Sequence, residues 1–190
     1  WDHFPSGFSF TQGNDGGIYL SRDAGAHWRF ADTVPLGQAY QVATDNRSPY
    51  TVCVGLQDND GWCGPSTPPP DRRFVKKVEN QDWFEIPLGD GQYIVPAPSD
   101  ANRIYADSQN GGIVRYDVVS HNRVSIKPYR ALASLETRDH AYRFNWTSPI
   151  AVSATDADTL FLGGNVVFKS TDAGQNWSVI SPDLTRDDKS

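Results

Sequence analysis

Four aspartates in predicted loops are the side chains of this sequence that could carry out hydrolysis. Asp58, Asp60, Asp90 and Asp139 lie in segments rich in Asn, Gln and Gly. Two carboxyl groups on opposite sides of a cleft can cleave a glycosidic bond, one as general acid and the other as nucleophile or base. The sequence does not give the distance between any two of them. The candidates for catalytic residues are Asp58, Asp90 and Asp139.

The same loops hold a larger set of polar and aromatic side chains suited to a polar ligand. Amides and carboxylates can pair with sugar hydroxyls, and an aromatic ring can stack on the face of a sugar. The predicted ligand-binding residues are Asn14, Asp15, Gln38, Gln57, Asp58, Asn59, Trp62, Asp90, Gln109, Asn110, His140 and Arg143. Clusters of Asn, Asp and Gly also form hairpin turns without any ligand, so turn formation is the alternative role for each polar residue.

The sequence lacks the motifs of metal sites and of other common enzyme classes. The four histidines (His3, His27, His121 and His140) are dispersed, and no His/Cys spacing suggests zinc, so we expect no metal and no cofactor. A nucleophile elbow, a phosphate loop and a dinucleotide fingerprint are all absent. The net charge of −6 argues against nucleic acid as a partner, because such surfaces need clustered Lys and Arg. No segment approaches the roughly 20 apolar residues of a transmembrane helix.

An eight-residue phrase that occurs twice indicates how these loops are positioned. SRDAGAHW at 21–28 returns as STDAGQNW at 170–177. The separation suits three repeats of roughly 50 residues, the length of a four-stranded propeller blade. A second pattern, in which an Asp-containing turn separates two apolar runs, recurs at a similar period around Asp45, Asp100 and Asp156.

Each position of the repeated phrase has a role in a tight turn between the third and fourth strands of a blade. The Asp is predicted to accept hydrogen bonds from backbone N–H groups, the Gly to supply a positive φ, the Ser to help close the turn, and the Trp to bury its apolar side. The predicted structural residues are Ser21, Asp23, Gly25 and Trp28 in one copy and Ser170, Asp172, Gly174 and Trp177 in the other. A calcium loop is the weaker alternative, because the phrase lacks alternating oxygen ligands and a terminal Glu.

These patterns predict an all-β chain built from about three and a half four-stranded antiparallel propeller blades. The predicted units are a partial blade at about 1–34 and blades at about 35–88, 89–129 and 142–184, with an insertion at 66–82. Three and a half blades do not close a ring, so the remaining blades or other chains are expected to complete a larger propeller. The chain starts at Trp1 and contains no Met, which favours a processed protein or an excised fragment.

The phrase S-x-D-x-G-x-x-W resembles the Asp-box, or bacterial neuraminidase repeat, of β-propellers. The fuller segments GNDGGIYLSRDAGAHW, YTVCVGLQDNDGWCGPS and VVFKSTDAGQNW resemble bacterial proteins with sortilin-type ten-bladed propellers. Xyloglucanase-type glycoside hydrolases are more distant members of the same group. The resemblance implies a propeller over nearly the whole chain and no particular activity, because such boxes occur in enzymes and in other proteins. The local sequence that carries the catalytic acids of the xyloglucanase-type enzymes is absent.

Blade topology places the repeated turns and the candidate residues on opposite faces. Loops between second and third strands share one face with the segments that join successive blades, whereas the repeated turns lie on the other face. Two functions then fit the candidate residues. One is a secreted or periplasmic module that binds a polysaccharide or protein ligand through these loops. The alternative is part of a glycoside hydrolase that acts on a polysaccharide with paired Asp carboxylates.

Cys53 and Cys63 are placed symmetrically about Asp58, the expected tip of a hairpin. Directly opposed residues of an antiparallel pair lie within the range that a disulfide needs. We therefore predict a Cys53–Cys63 disulfide, with two free buried cysteines as the alternative. A disulfide would imply an oxidising location, either extracellular or periplasmic.

Overall fold

A computed structural model describes residues 10–14, 17–31, 37–71, 76–129 and 141–186. The chain divides into two compact units, Trp1–Leu36 and Gly37–Ser190. The described residues form four antiparallel sheets, each of which is a meander of strands in sequence order. The all-β class is therefore confirmed.

The described part of the first unit is a three-stranded meander. Its strands are β1 (Phe10–Asn14), β2 (Gly17–Ser21) and β3 (Arg29–Phe30). Tyr19 lies opposite Phe30, and their ring centroids are 5.1 Å apart. Residues 21–28, the first copy of the repeated phrase, connect β2 to β3.

The described residues of the second unit form three four-stranded sheets. The second sheet contains β4 (Ala39–Thr44), β5 (Thr51–Leu56), β6 (Gly61–Pro65) and β7 (Phe84–Ile86). The third sheet contains β8 (Ile94–Pro96), β9 (Arg103–Ser108), β10 (Gly112–Asp117) and β11 (Arg123–Ser125). The fourth sheet contains β12 (Ile150–Val152), β13 (Leu160–Gly163), β14 (Val167–Ser170) and β15 (Ser178–Val179). Short 3₁₀ turns occur at Asn80–Asp82 and Gln109–Gly111.

The third sheet lies between the second and the fourth and is buried on both faces. Alternate residues of its strands point to opposite sides, so each neighbouring sheet contacts a different set of side chains. Ile104 and Ala106 of β9 pack with residues of the second sheet, including Cys53 and Ile86. Tyr105, between them in the sequence, packs with residues of the fourth sheet. The first strand of the third sheet, β8, lies against both β4 and β12, the first strands of its neighbours. This is the arrangement of consecutive propeller blades around an axis.

The predicted disulfide is confirmed. Cys53 on β5 lies directly opposite Cys63 on β6, their Cα atoms are 4.1 Å apart, and both residues are fully buried between the second and third sheets. The hairpin that they close turns at residues 57–60, as the symmetry about Asp58 predicted.

The two copies of the repeated phrase, which we call the box turns (21–28 and 170–177), have the same internal hydrogen bonds. In the second turn the Ser170 hydroxyl donates to Asp172 Oδ1 at 2.8 Å and accepts the Gly174 N–H at 2.9 Å. Asp172 Oδ1 also accepts the Asn176 N–H at 2.8 Å. Gly174 has φ +82°, which is the left-handed conformation that the sequence predicted for it.

The first box turn repeats these bonds, with one difference at its tryptophan. Ser21 and Asp23 close the turn as their counterparts do, and the backbone N–H of His27 holds the pKa of Asp23 down at about 2. Trp28 is 45% exposed, and its ring lies over the glycine of the turn, since a Cβ atom on Gly25 would be 3.8 Å from Trp28 Cζ2. Trp177 is partly buried against the core that the third and fourth sheets share, with its Nε1 donating to the Ile126 carbonyl at 2.8 Å.

We expect the paired substitution Cys53→Ala and Cys63→Ala to lower the free energy of unfolding by about 2–3 kcal/mol. The disulfide closes a short loop, and its main effect is to restrict the unfolded chain. Urea unfolding without reductant measures the loss. Because the double variant has no disulfide to reduce, its midpoint should not respond to reductant, whereas that of the original chain should fall. Equal midpoints for the two proteins without reductant would contradict the prediction.

We expect Ser170→Ala to lower the free energy of unfolding by about 1–3 kcal/mol. The substitution leaves the buried Gly174 N–H without its acceptor. A buried donor without a partner destabilises the folded state by the full free energy of its desolvation. Thr171→Ala, at the exposed neighbouring position, serves as the control and should change stability little. If the two variants unfold at the same urea concentration, the hydroxyl of Ser170 does not stabilise the turn.

Candidate functional site

The candidate residues that the structure describes in the second unit lie at one end of its sheets, which we call the loop face. In the second unit it consists of the loops between second and third strands, at 57–60, 109–111 and 164–166, and the segments at 87–93 and 141–149 that enter first strands. The box turn at 170–177 follows the third strand of its sheet, so antiparallel geometry puts it at the other end.

Asp90 joins two loops of the loop face. It is 3% exposed, its Oδ1 accepts the Asp58 N–H at 2.8 Å, and its Oδ2 accepts the Gln109 side-chain amide. One carboxylate therefore connects the hairpin tip of the second sheet to the corresponding loop of the third. Both of its oxygens are occupied by these bonds, which gives Asp90 a bridging role.

Asp60 fixes the hairpin from its other side. Its Oδ1 accepts the N–H groups of Leu88 (2.5 Å) and Gly89, and its backbone N–H donates to the Gly89 carbonyl at 2.8 Å. A Cβ atom on Gly91 would lie 2.2 Å from the Asp60 carbonyl oxygen, so only glycine fits where these two segments meet.

Glu85 forms a carboxyl pair with Asp60 that sequence reasoning missed. Desolvation raises the pKa of Glu85, and a hydrogen bond and charge repulsion from Asp60 raise it further. Glu85 lies on β7 opposite Trp62, within a strand and outside the polar loops. Only the pairing of β7 with β6 brings it to the hairpin, and nothing in its local sequence signals this.

An exposed tryptophan lies beside these loops. Trp146 is 49% exposed, and its Nε1 is 3.4 Å from the Tyr40 hydroxyl. Its carbonyl accepts the Asn110 N–H at 3.2 Å, next to Gln109 in the chain. Lys127 donates to the Asn110 carbonyl at 2.8 Å, and desolvation lowers its pKa. Trp146 lies in the segment that enters β12, and its residue type, an aromatic among polar neighbours, is visible in the sequence.

Several predicted ligand residues instead close their own hairpin. The Trp62 indole N–H donates to the Asn59 carbonyl at 2.8 Å, and the Asn59 amide donates to the Gln57 carbonyl at 2.9 Å. The Gln57 N–H donates to the Gln38 carbonyl at 2.9 Å. These bonds are those expected of the turn-forming alternative.

Arg143 belongs to another part of the loop face. Its backbone N–H donates to Asn165 Oδ1 at 2.9 Å, and its guanidinium donates to Asp183 at 2.8 Å and Thr185 at 3.0 Å. Arg143 therefore attaches the segment at 181–186 to the loop before the fourth sheet, and hydrogen bonds from Thr185 and Asn165 hold the pKa of Asp183 well below its usual range.

The structure thus brings together the candidates of the second and third sheets. They are Gln38, Gln57, Asp58, Asn59, Trp62, Asp90, Gln109 and Asn110. Asn14 ends β1 in the first unit, and Asp15, Asp139 and His140 lie outside the described residues. Among the residues that the structure describes, no three His, Cys, Asp or Glu side chains form a group that could hold a metal ion. Nor does any helix in those residues have the length and apolar character to cross a membrane.

A buried carboxyl lies just beneath the loop face. Asp107 is fully buried on β9, and its Oδ1 accepts the Tyr93 N–H at 2.6 Å. Its Oδ2 has no partner within the described part of the chain. Burial raises the pKa of Asp107 to about 7, against the lowering effect of the hydrogen bond from the Tyr93 backbone.

Comparison with solved structures shows that the chain has a β-propeller fold. The GH74 xyloglucanase from Xanthomonas campestris matches 91% of this chain with a TM-score of 0.53 and 16% identity, and this chain spans 28% of that enzyme. The GH74 enzyme of Niastella koreensis matches 90% of the chain, with a TM-score of 0.49, 14% identity and 27% of its own chain covered. No protein-family model and no curated protein matches the sequence. At these identities the likeness shows the fold alone.

We expect Asp107→Asn to stabilise the protein most at high pH. The pKa of Asp107 is raised from 3.8 to about 7 in the folded state, so the folded chain holds this proton more tightly than the unfolded chain does. The contribution of Asp107 to the free energy of unfolding therefore falls as the pH rises from about 4 to about 7, and the neutral amide removes that loss.

Urea unfolding of the variant and the original chain across this pH range tests the prediction. Taking the difference between the two proteins cancels the effect of the other carboxylates, several of which have lowered pKa values. The difference should grow with pH. A difference that stays constant would mean that Asp107 does not titrate in this window.

Proposed function

We propose that this chain is the ligand-binding part of an exported β-propeller, with its ligand on the loop face. The observation that carries the proposal is the exposed Trp146 ring beside polar loops whose positions are fixed by Asp90. Such loops lose little conformational entropy when a ligand binds, because their hydrogen bonds already hold them in place. The ligand that these groups suit is a polysaccharide, since the indole can stack on a sugar ring while amides and carboxylates contact hydroxyls.

The alternative function, glycoside hydrolysis, has weaker support. The carboxyl pair on the loop face is Asp60 and Glu85, which share a hydrogen bond. Glycosidases need their two carboxyl groups at least about 5 Å apart, so that the sugar lies between them. Asp90, a predicted catalytic candidate, uses both oxygens for bonds to the neighbouring loops. These contacts favour binding over catalysis.

The proposal also covers the class of the box turns, the division of the chain into blades, and the location of the protein. The hydrogen bonds of the two box turns support their assignment to the Asp-box class. Each sheet would be one blade, within units at about 1–34, 35–88, 89–129 and 142–184, and further blades or other chains would complete the ring. The Cys53–Cys63 disulfide supports an extracellular or periplasmic location, where disulfides persist.

Isothermal titration of the purified chain with a panel of neutral soluble polysaccharides tests the proposal. We expect saturable binding, and we expect Trp146→Ala to weaken it at least tenfold, because the stacking surface is lost. Tyr50→Ala is the matched control, since Tyr50 is 48% exposed at the opposite end of the second sheet.

The outcomes separate the two functions. Binding that Trp146→Ala leaves unchanged, or no binding by any polysaccharide of the panel, would refute the loop-face site. Release of reducing sugar that is lost in Asp60→Asn or Glu85→Gln would instead establish the hydrolase.

A further inference from the structure

The end of the sheets opposite the loop face has a groove of its own. A hollow of about 630 Å³ lies between the third and fourth sheets, bordered by the turn after β10 at 117–122 and by the box turn at 171–175. Its volume is within the range of small-ligand sites.

A second depression continues this hollow. It has a volume of about 370 Å³ and shares Arg115, Val124 and Gln175 with the first. It extends from there along β11 toward the loop face, where Lys127 and Pro128 border it, and it also reaches Trp177. The two together form one elongated channel, which we call the box groove. It has a charged end, a middle at Arg115, and an end that the Trp177 side chain borders.

The charged end of the box groove contains both positively and negatively charged side chains. Arg103 forms ion pairs with Asp158, in the turn before β13, and with Asp100, in the turn before β9, at 3.2 Å from Asp100. Hydrogen bonds from Ser120 lower the pKa of Asp117, and bonds from Asn176 lower that of Asp172. Both aspartates are therefore ionised at neutral pH, within the same groove as the two arginines.

Arg115 has unused donors in the middle of the box groove. It is partly buried, and its Nη1 donates to the Ala173 carbonyl at 3.0 Å. In the residues that the structure describes, the guanidinium has no other hydrogen bond and no ion pair. A guanidinium carries five N–H donors, so most of them are available to a ligand.

We propose that the box groove is a second binding site, for a neutral oligosaccharide. A ligand with a net charge of either sign meets a like charge in the groove, since arginines and aspartates both line it. A sugar hydroxyl donates and accepts, so it can pair with the Arg115 donors and with the carboxylate oxygens of Asp117 and Asp158. At the other end, Trp177 adds apolar aromatic surface.

The test is titration of the full chain with neutral hexasaccharides of glucose, xylose and mannose, and with hexagalacturonate as the charged counterpart. We expect Arg115→Gln to weaken binding of the preferred neutral sugar at least tenfold, and Gln175→Ala to weaken it less. Lys76→Gln, which removes an exposed cation outside the groove, is the control. Trp177 is left in place because it packs in the core.

The loop-face variant Trp146→Ala separates this site from the one under Proposed function. If both sites exist, Arg115→Gln and Trp146→Ala each remove one binding event and leave the other. The inference is overturned if no neutral hexasaccharide binds, if hexagalacturonate binds more tightly than every neutral one, or if Arg115→Gln with an unchanged unfolding temperature binds as the original chain does. Loss of binding in Trp146→Ala alone would leave the loop-face site and refute the box groove.

Discussion

The burial of the third sheet between its two neighbours is the constraint on which the rest of the second unit depends. Ile104, Tyr105 and Ala106 are consecutive and all buried, because each face of β9 packs against another sheet. Strands buried on both sides leave few positions for polar side chains along their length. Polar groups are therefore concentrated at the two ends of the sheets, and any binding chemistry has to lie there.

The two ends are built in different ways. A box turn is closed by bonds within eight residues, such as those of Ser170 and Asp172, so the same phrase gives the same turn wherever it occurs. The loop face is closed by bonds between distant residues. Asp90 accepts a hydrogen bond from Asp58, and Trp146 lies beside Tyr40, more than a hundred residues away. The shape of the loop face therefore depends on how successive sheets pack together.

This difference explains what the sequence could predict. The repeated phrase and its period indicate antiparallel blades, and the symmetry of the two cysteines about Asp58 indicates the disulfide, because all of these depend on local geometry. Glu85 and Arg115 could not be identified, since their roles depend on which residues the neighbouring strand or sheet brings to them. Trp28 and Trp177 occupy the same position of the phrase, yet Trp28 is nearly half exposed and Trp177 packs against the core, so the phrase alone does not predict how deeply its tryptophan is buried.

Buried polar atoms also distinguish the two ends. Within the described residues, four buried side-chain atoms have no hydrogen-bond partner, and three of them belong to Gln92 and Asp107, just beneath the loop face. The fourth is the Ser66 hydroxyl oxygen. Such groups destabilise a protein, and the raised pKa of Asp107 reflects the cost of charging one of them.

A sequence under selection for stability alone would place apolar side chains at these positions. Proteins retain local violations of this kind mainly where function requires them. Ser170, at the box end, is equally buried, yet its hydroxyl both donates and accepts. Three of the four unpartnered atoms among the described residues lie beneath the loop face and one, the Ser66 hydroxyl oxygen, lies at the other end, and this imbalance supports the proposal that the loop face binds a ligand.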